Sequence, residues 1–253
     1  MTVSIDGSIC LWDTQGLCVA SELNVLSIPC PALAVLLSDN RHIACAGHSS
    51  DVEIVDLWSL DVVATLSGKH QDWICSLFPL PQNEDSTSLL LTASVDGEIV
   101  FWMITFAQDN ADPKSKNLSG RPPECIPLTS VMIEGGTILN AAVSPNLKTV
   151  LVVCAEKWIL LTAANPRMLF EVPAPEGRQW CGGAFMHYNR VILWDKSEAF
   201  IYVLPSQADL HTISFVPISP SKFNSNASAS NDSLFLPKVS KSFFNRKETN
   251  DIE

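Results

Sequence analysis

Apolar residues in this chain come in short runs closed by polar turns, the pattern of half- or fully buried β-strands. The runs include Ile9–Trp12, Val52–Asp56, Trp73–Phe78, Leu89–Ser94, Glu98–Trp102, Val150–Cys154, Trp158–Leu161, Val191–Trp194 and Ala199–Val203. Asp6-Gly7 and Asp96-Gly97 supply tight turns, because glycine reaches positive φ without steric cost. A longer polar turn is expected over Pro81–Ser86. The pattern predicts an all-β chain. From residue 206 it collapses into a Ser/Asn-rich stretch without usable periodicity, read as a disordered tail over 206–253.

The turns repeat. Ser4-Ile5-Asp6-Gly7-Ser8-Ile9-Cys10-Leu11-Trp12 returns as Ser94-Val95-Asp96-Gly97-Glu98-Ile99-Val100-Phe101-Trp102, 90 positions later, or two units of 45. An Asp-Gly turn feeding a Trp-ended apolar strand at this period resembles WD40-type β-propeller repeats. Such blades commonly carry a buried polar set; by that resemblance His70, Ser94, Asp96 and Trp102 fill it in residues 66–102, although Lys69 splits the usual Gly-His pair. Buried groups of this kind must satisfy one another. Asp56 stands where the Asp of Trp-Asp would sit in a second unit, and Trp12-Asp13 alone preserves both letters at the expected strand end. Trp158 lies in a fourth unit, and Trp194-Asp195 of a fifth falls earlier, nearer the turn. The expectation is a propeller fragment over 1–205, of five units with the first incomplete, carrying an inserted loop at 107–127.

Composition narrows the function. The 253 residues are 47% hydrophobic, ample for a core, and the net charge is −11. Residues 1–205 hold 22 acidic against 11 basic side chains, so the negative excess lies on the presumed propeller. Nucleic acid is excluded as an expected partner, since phosphate binding needs clustered Lys and Arg; an acidic surface favours basic protein segments. The eight cysteines show no C-x-x-C and lie mostly in apolar runs, which points to a reduced, cytosolic protein. Three N-x-S triplets begin at Asn117, Asn226 and Asn231, but no secretory signal is visible.

No catalytic, cofactor-binding or metal-ligating constellation is found. P-loop, G-x-G-x-x-G, H-E-x-x-H and G-x-S-x-G motifs are missing. Gly182-Gly183 reads as a two-glycine turn, and His42 with His48 as a surface turn flanking a strand.

Residues 72–77, 150–158 and 177–205 resemble the rabconnectin-three β-subunit family. The most specific block runs from Gly177-Arg178-Gln179-Trp180-Cys181-Gly182-Gly183 through Val191-Ile192-Leu193-Trp194 to Ile201-Tyr202-Val203-Leu204-Pro205. The resemblance implies part of the amino-terminal propeller of a very long WD-repeat protein. It implies a non-enzymatic cytoplasmic scaffold, peripheral on vesicle or endosomal membranes. Its partners would be an α subunit, the vacuolar proton pump whose assembly drives vesicle acidification, and Rab regulators. The family motif transfers no catalytic residue and no cofactor. The competing expectation is a generic WD-repeat adaptor for ubiquitin-ligase or trafficking complexes.

Overall fold

The computed structural model describes residues 1–80, 87–106, 122–163 and 165–204, and the backbone of 214–216. The Pro81–Ser86 turn, the three N-x-S triplets, most of the inserted loop and most of the tail fall outside these residues. Among the described residues the chain is all-β, with five antiparallel sheets in series and no helix.

The first sheet has three strands, β1 (Thr2–Val3), β2 (Ile9–Trp12) and β3 (Cys18–Glu22). The second has β4 (Pro31–Leu36), β5 (His42–Gly47), β6 (Val52–Asp56) and β7 (Asp61–Leu66). The third has β8 (Ile74–Leu80), β9 (Thr87–Ser94), β10 (Glu98–Thr105) and β11 (Glu124–Met132). The fourth has β12 (Ile138–Val143), β13 (Thr149–Cys154), β14 (Lys157–Thr162) and β15 (Met168–Pro173). The fifth has β16 (Gly182–His187), β17 (Arg190–Trp194), β18 (Ala199–Val203) and β19 (Ser214–Val216). Every sheet is a meander in which sequence neighbours pair, so local hairpins account for all the pairing within sheets.

Side-chain alternation explains why the middle strands read as unbroken apolar runs. On β9 and β10, Leu90, Val100, Trp102 and Ile104 pack with Ala44, Ala46, Val52 and Ile54 of the second sheet. Their neighbours Leu91, Ala93, Ile99 and Phe101 point the other way, against Val150, Val152, Ile159 and Leu161 of the fourth. Leu151 and Val153 in turn meet Val191 and Leu193 of the fifth, and Ile9 of the first meets Ile43, Cys45 and Val55 of the second. A strand covered on both faces needs an apolar residue at every position. Each such Val, Leu or Ile contributes roughly 1.5–3 kcal/mol by burial. The last strands have one neighbour fewer, and β11 and β15 are accordingly mostly exposed.

The first strands lie side by side: β4 against β8, β8 against β12, and β12 against β16. Two polar contacts tie them. The Ala141 N–H donates to Ser76 Oγ at 2.7 Å, and the Asn140 amide exchanges two bonds with the Gly183 backbone, at 2.8 and 3.0 Å. In β4, β8 and β12 the register slips one residue after the first pair, at Ala32, Cys75 and Leu139, so the sheets share a bulge as well as a strand order. This arrangement is compatible with a β-propeller fragment.

Three expectations are corrected. Glu124–Pro127, counted with the inserted loop, belong to β11, whose pairing with β10 runs the length of that strand. Ser214–Val216, counted with the tail, pair with β18 as a fourth strand; three residues are too short to show alternation. Gly182 and Gly183 lie in β16 rather than in a turn. A Cβ on Gly182 would meet the Trp194 ring at 2.5 Å, so the missing side chain makes room for that indole.

Candidate functional site

Asp6 and Asp96 occupy equivalent corners of the first and third sheets. Each sits in the turn of a hairpin, β1–β2 and β9–β10, and each Oδ1 accepts the N–H two residues on, from Ser8 at 3.0 Å and Glu98 at 2.7 Å. Gly7 and Gly97 follow at φ 81° and 94°. Their carbonyls accept the N–H of Leu26 and Ile133 from the loop leaving the same sheet. A Cβ on Gly7 would lie 2.6 Å from the Leu26 oxygen, so this corner excludes any other residue.

Behind the Asp96 corner is a buried relay. His70, four positions before β8, places Nε2 2.7 Å from Thr92 Oγ1, and Trp102 Nε1 donates to the same hydroxyl at 3.0 Å. The polar set expected from sequence placed Ser94 in this role. Ser94 instead bonds the Asp72 carbonyl at 3.0 Å, holding the loop before β8. A side chain two residues nearer the middle of β9 reaches the Trp102 indole, whereas Ser94 ends the strand. The signal was available: Thr2 stands at the same offset, and Trp12 Nε1 donates to Thr2 Oγ1 at 2.9 Å. His70 Nδ1 has no hydrogen-bond partner and lies 3.9 Å from Asp96 Oδ2, which already accepts the Gln71 N–H at 2.7 Å. The donor atoms of His70, Asp96 and Glu98 lie within 4.8 Å of one another. With both Asp96 oxygens bonded to backbone N–H groups, this cluster closes the turn.

Burial lowers the His70 pKa below its ordinary 6.5, against the opposing pull of Asp96 and Glu98. The unfolded chain therefore takes up this proton at higher pH than the folded chain. The stability from neutral His70 is complete above pH 6.5 and is lost as pH falls through the folded value. We expect the urea midpoint to drop from about pH 7.5 to about pH 5.5, with a flatter profile in His70→Gln. Identical pH slopes for the two proteins would contradict this assignment.

The same position carries different chemistry in other sheets. Arg178, four residues before β16, reaches the corner between β17 and β18, where Nη1 donates to Asp195 at 2.8 Å and to Glu198 at 2.7 Å. Burial pushes the Asp195 carboxyl up, but the N–H groups of Ser197 and Glu198, the Ser197 hydroxyl and Arg178 outweigh it and hold the pKa at about 2. In the second sheet Ser27, four before β4, donates its N–H to Glu53 at 3.0 Å, and its hydroxyl bonds the other oxygen of that buried carboxylate. No protein-family model matches the chain. In three sheets, then, the segment before the first strand is tied by hydrogen bonds to the hairpin of the second and third strands.

The remaining positions singled out from sequence scatter. Asp13 follows β2 and caps its turn by accepting the Gln15 and Leu17 N–H groups. Asp56 ends β6 and takes a two-pronged bond from Arg41, at 3.1 and 2.5 Å. Trp158 is fully buried beside the β13–β14 turn, edge-on to Phe170, and is not at the Trp102 position. Trp194 lies on the second strand of its sheet, partly exposed over Gly182. His42 and His48 are at opposite ends of β5. His42 is buried, bonded to Asp39 at 2.5 Å and stacked on Phe106. His48 is exposed and stacks on Trp73, with centroids 4.2 Å apart and planes 10° from parallel. The turn that carries His48 thus borders the loop before β8, and a bond from the Ile74 N–H to the Ser49 carbonyl fastens them. At the same end of the sheets, a cleft of about 660 Å³ opens between Glu156, Arg178, Gln179, Asp195 and Lys196. Within its lining Arg178 is paired with Asp195, and it reaches Glu198 beside the cleft. Burial meanwhile raises the thiols of Cys75, Cys125 and Cys154 to about 11 and that of Cys45 to about 12, so they are neutral small hydrophobes rather than nucleophiles.

Proposed function

We propose that the five sheets are successive blades of a WD40-type β-propeller fragment, and that the chain is a non-enzymatic protein-interaction scaffold of the rabconnectin-three β type. The observation that carries the reading is the pair of equivalent corners at Asp6 and Asp96, with the indole-to-threonine bond recurring beside each. The first strands lying side by side support the radial stacking of blades. Loops at the strand ends are then display sites on a rigid frame. The link to vacuolar proton-pump assembly, vesicle acidification and Rab regulation rests on the resemblance over 72–77, 150–158 and 177–205. By that reading the protein works in the cytoplasm, peripheral on vesicle membranes, beside a larger α subunit.

Affinity isolation of the intact protein carrying this chain from a vesicle extract tests the reading. Proton-pump subunits and the α subunit are expected in the eluate. Recovery of neither overturns the pump connection, and recovery of ubiquitin-ligase components instead selects the generic adaptor.

A further inference from the structure

Twice among the described residues an arginine is set between an aromatic ring and a carboxylate. Arg41 Cζ lies 4.4 Å from the centre of the Trp58 ring while its nitrogens hold Asp56. Arg178 Cζ lies 4.9 Å from the centre of Phe200 while Nη1 holds Asp195 and Glu198. A planar guanidinium suits both partners at once, stacking on the ring and presenting its N–H fork to the carboxylate edge.

A third set of the same parts has no arginine over it among the described residues. Trp73 is 50% exposed, although it stands immediately before β8, the first strand of its sheet. One ring face rests on His48. The exposed Asp72 carboxylate adjoins it, fixed by accepting the Trp73 N–H at 2.8 Å. Asp51 lies on the His48 turn, and Asp96 and Glu98 on the turn that donates the Val95 N–H to the Trp73 carbonyl. Lys69 is the one cation of the 67–73 loop. The bonds to Val95 and Ser49 hold the backbone on either side of the ring, and His48 supports one ring face before any partner arrives, which lowers the ordering cost of binding.

We propose that Trp73 and Asp72, backed by His48, form a docking site for an arginine side chain presented by a basic segment of a partner protein. The proposal rests on the scaffold reading and adds the partner's chemistry and the face it meets. Arginine is favoured over lysine because both internal examples place a guanidinium over a ring, and Arg41 adds the fork, meeting Asp56 through Nε and Nη2.

The test uses the full chain and three acetylated, amidated Gly/Ser dodecapeptides, each with three spaced arginines, lysines or citrullines. Titration calorimetry is expected to rank them arginine, lysine, citrulline. Citrulline keeps the planar shape without the charge, and it should bind at least about tenfold more weakly than arginine. Trp73→Leu should lose at least about tenfold of the arginine-peptide affinity, with an unchanged denaturation midpoint because the ring is half exposed. Asp72→Asn keeps the acceptor for the Trp73 N–H and should lose several-fold, with a weaker salt dependence. It serves as the second variant should Trp73→Leu fail to fold.

No arginine-peptide binding, equal binding of the citrulline peptide, or undiminished binding by both variants would overturn the proposal. So would a Trp73-dependent dimer in sedimentation, which would give the ring to a second copy of the chain. The vesicle isolation can succeed while the peptides fail, or the reverse, so the two readings fall separately.

Discussion

Trp102→Ala is expected to lower the unfolding free energy by roughly 3–5 kcal/mol, whereas Trp12→Ala, its counterpart in the repeat, should cost about 1 kcal/mol or less. Trp102 is 3% exposed, wedged between the second and third sheets among Leu77, Leu90, Val100 and Ile104. Removing the indole opens a cavity that the two sheets cannot close without disturbing the next interface. Trp12 is 45% exposed, and its ring is held chiefly by the bond to Thr2. Urea unfolding followed by linear extrapolation gives both numbers. Equal losses would mean that the sheet-to-sheet packing around Trp102 is misplaced.

Thr92→Val is expected to cost roughly 2–4 kcal/mol, more than Ser94→Ala, for which about 1 kcal/mol is expected. Valine keeps the shape of threonine but deletes the hydroxyl that serves both His70 Nε2 and Trp102 Nε1. Two ring nitrogens are then buried without partners, each worth about 1–3 kcal/mol, partly offset by the extra methyl group. Ser94 is buried as well, but its loss strands the Asp72 carbonyl and a long 3.3 Å bond from the Asp96 N–H rather than two ring nitrogens. The two variants, measured by the same urea unfolding, separate the relay seen in the structure from the one expected by resemblance. A larger loss from Ser94→Ala would restore the expected arrangement.

The all-β class was legible because the apolar runs and the Asp-Gly turns are local signals. Ile9–Trp12, Val52–Asp56 and Glu98–Trp102 read as strands and lie in β2, β6 and β10. Short or irregular strands escaped. Ser214–Val216 offers three residues, and Glu124–Met132 is mostly exposed, with a proline at 127, so it lacks the apolar signature. Polar partners were harder to place than strands. Thr92 was overlooked because one hydroxyl among Thr92, Ser94 and their neighbours looks like another until the strand direction aims it at Trp102. Arg178 lies in the Gly177–Gly183 segment, yet nothing in its surroundings along the chain marks it as the counterpart of His70. That equivalence needs the corner it closes, 17 residues away at Asp195.

Taken alone, the chain of residues determined where the apolar strands and the Asp-Gly turns lie and that the Asp-Gly unit recurs, because a turn needs its glycine and a strand its apolar run within a few bonds. Only the tertiary structure decided which neighbouring sheet each side chain meets. It sends Leu90 to the second sheet and Leu91 to the fourth, and it buries Trp102 while leaving Trp12, Trp58 and Trp73 open. The physical reason is that burial depends on what covers a residue from elsewhere in the chain. Two tryptophans at the same place in a repeat differ when the surfaces brought against them differ.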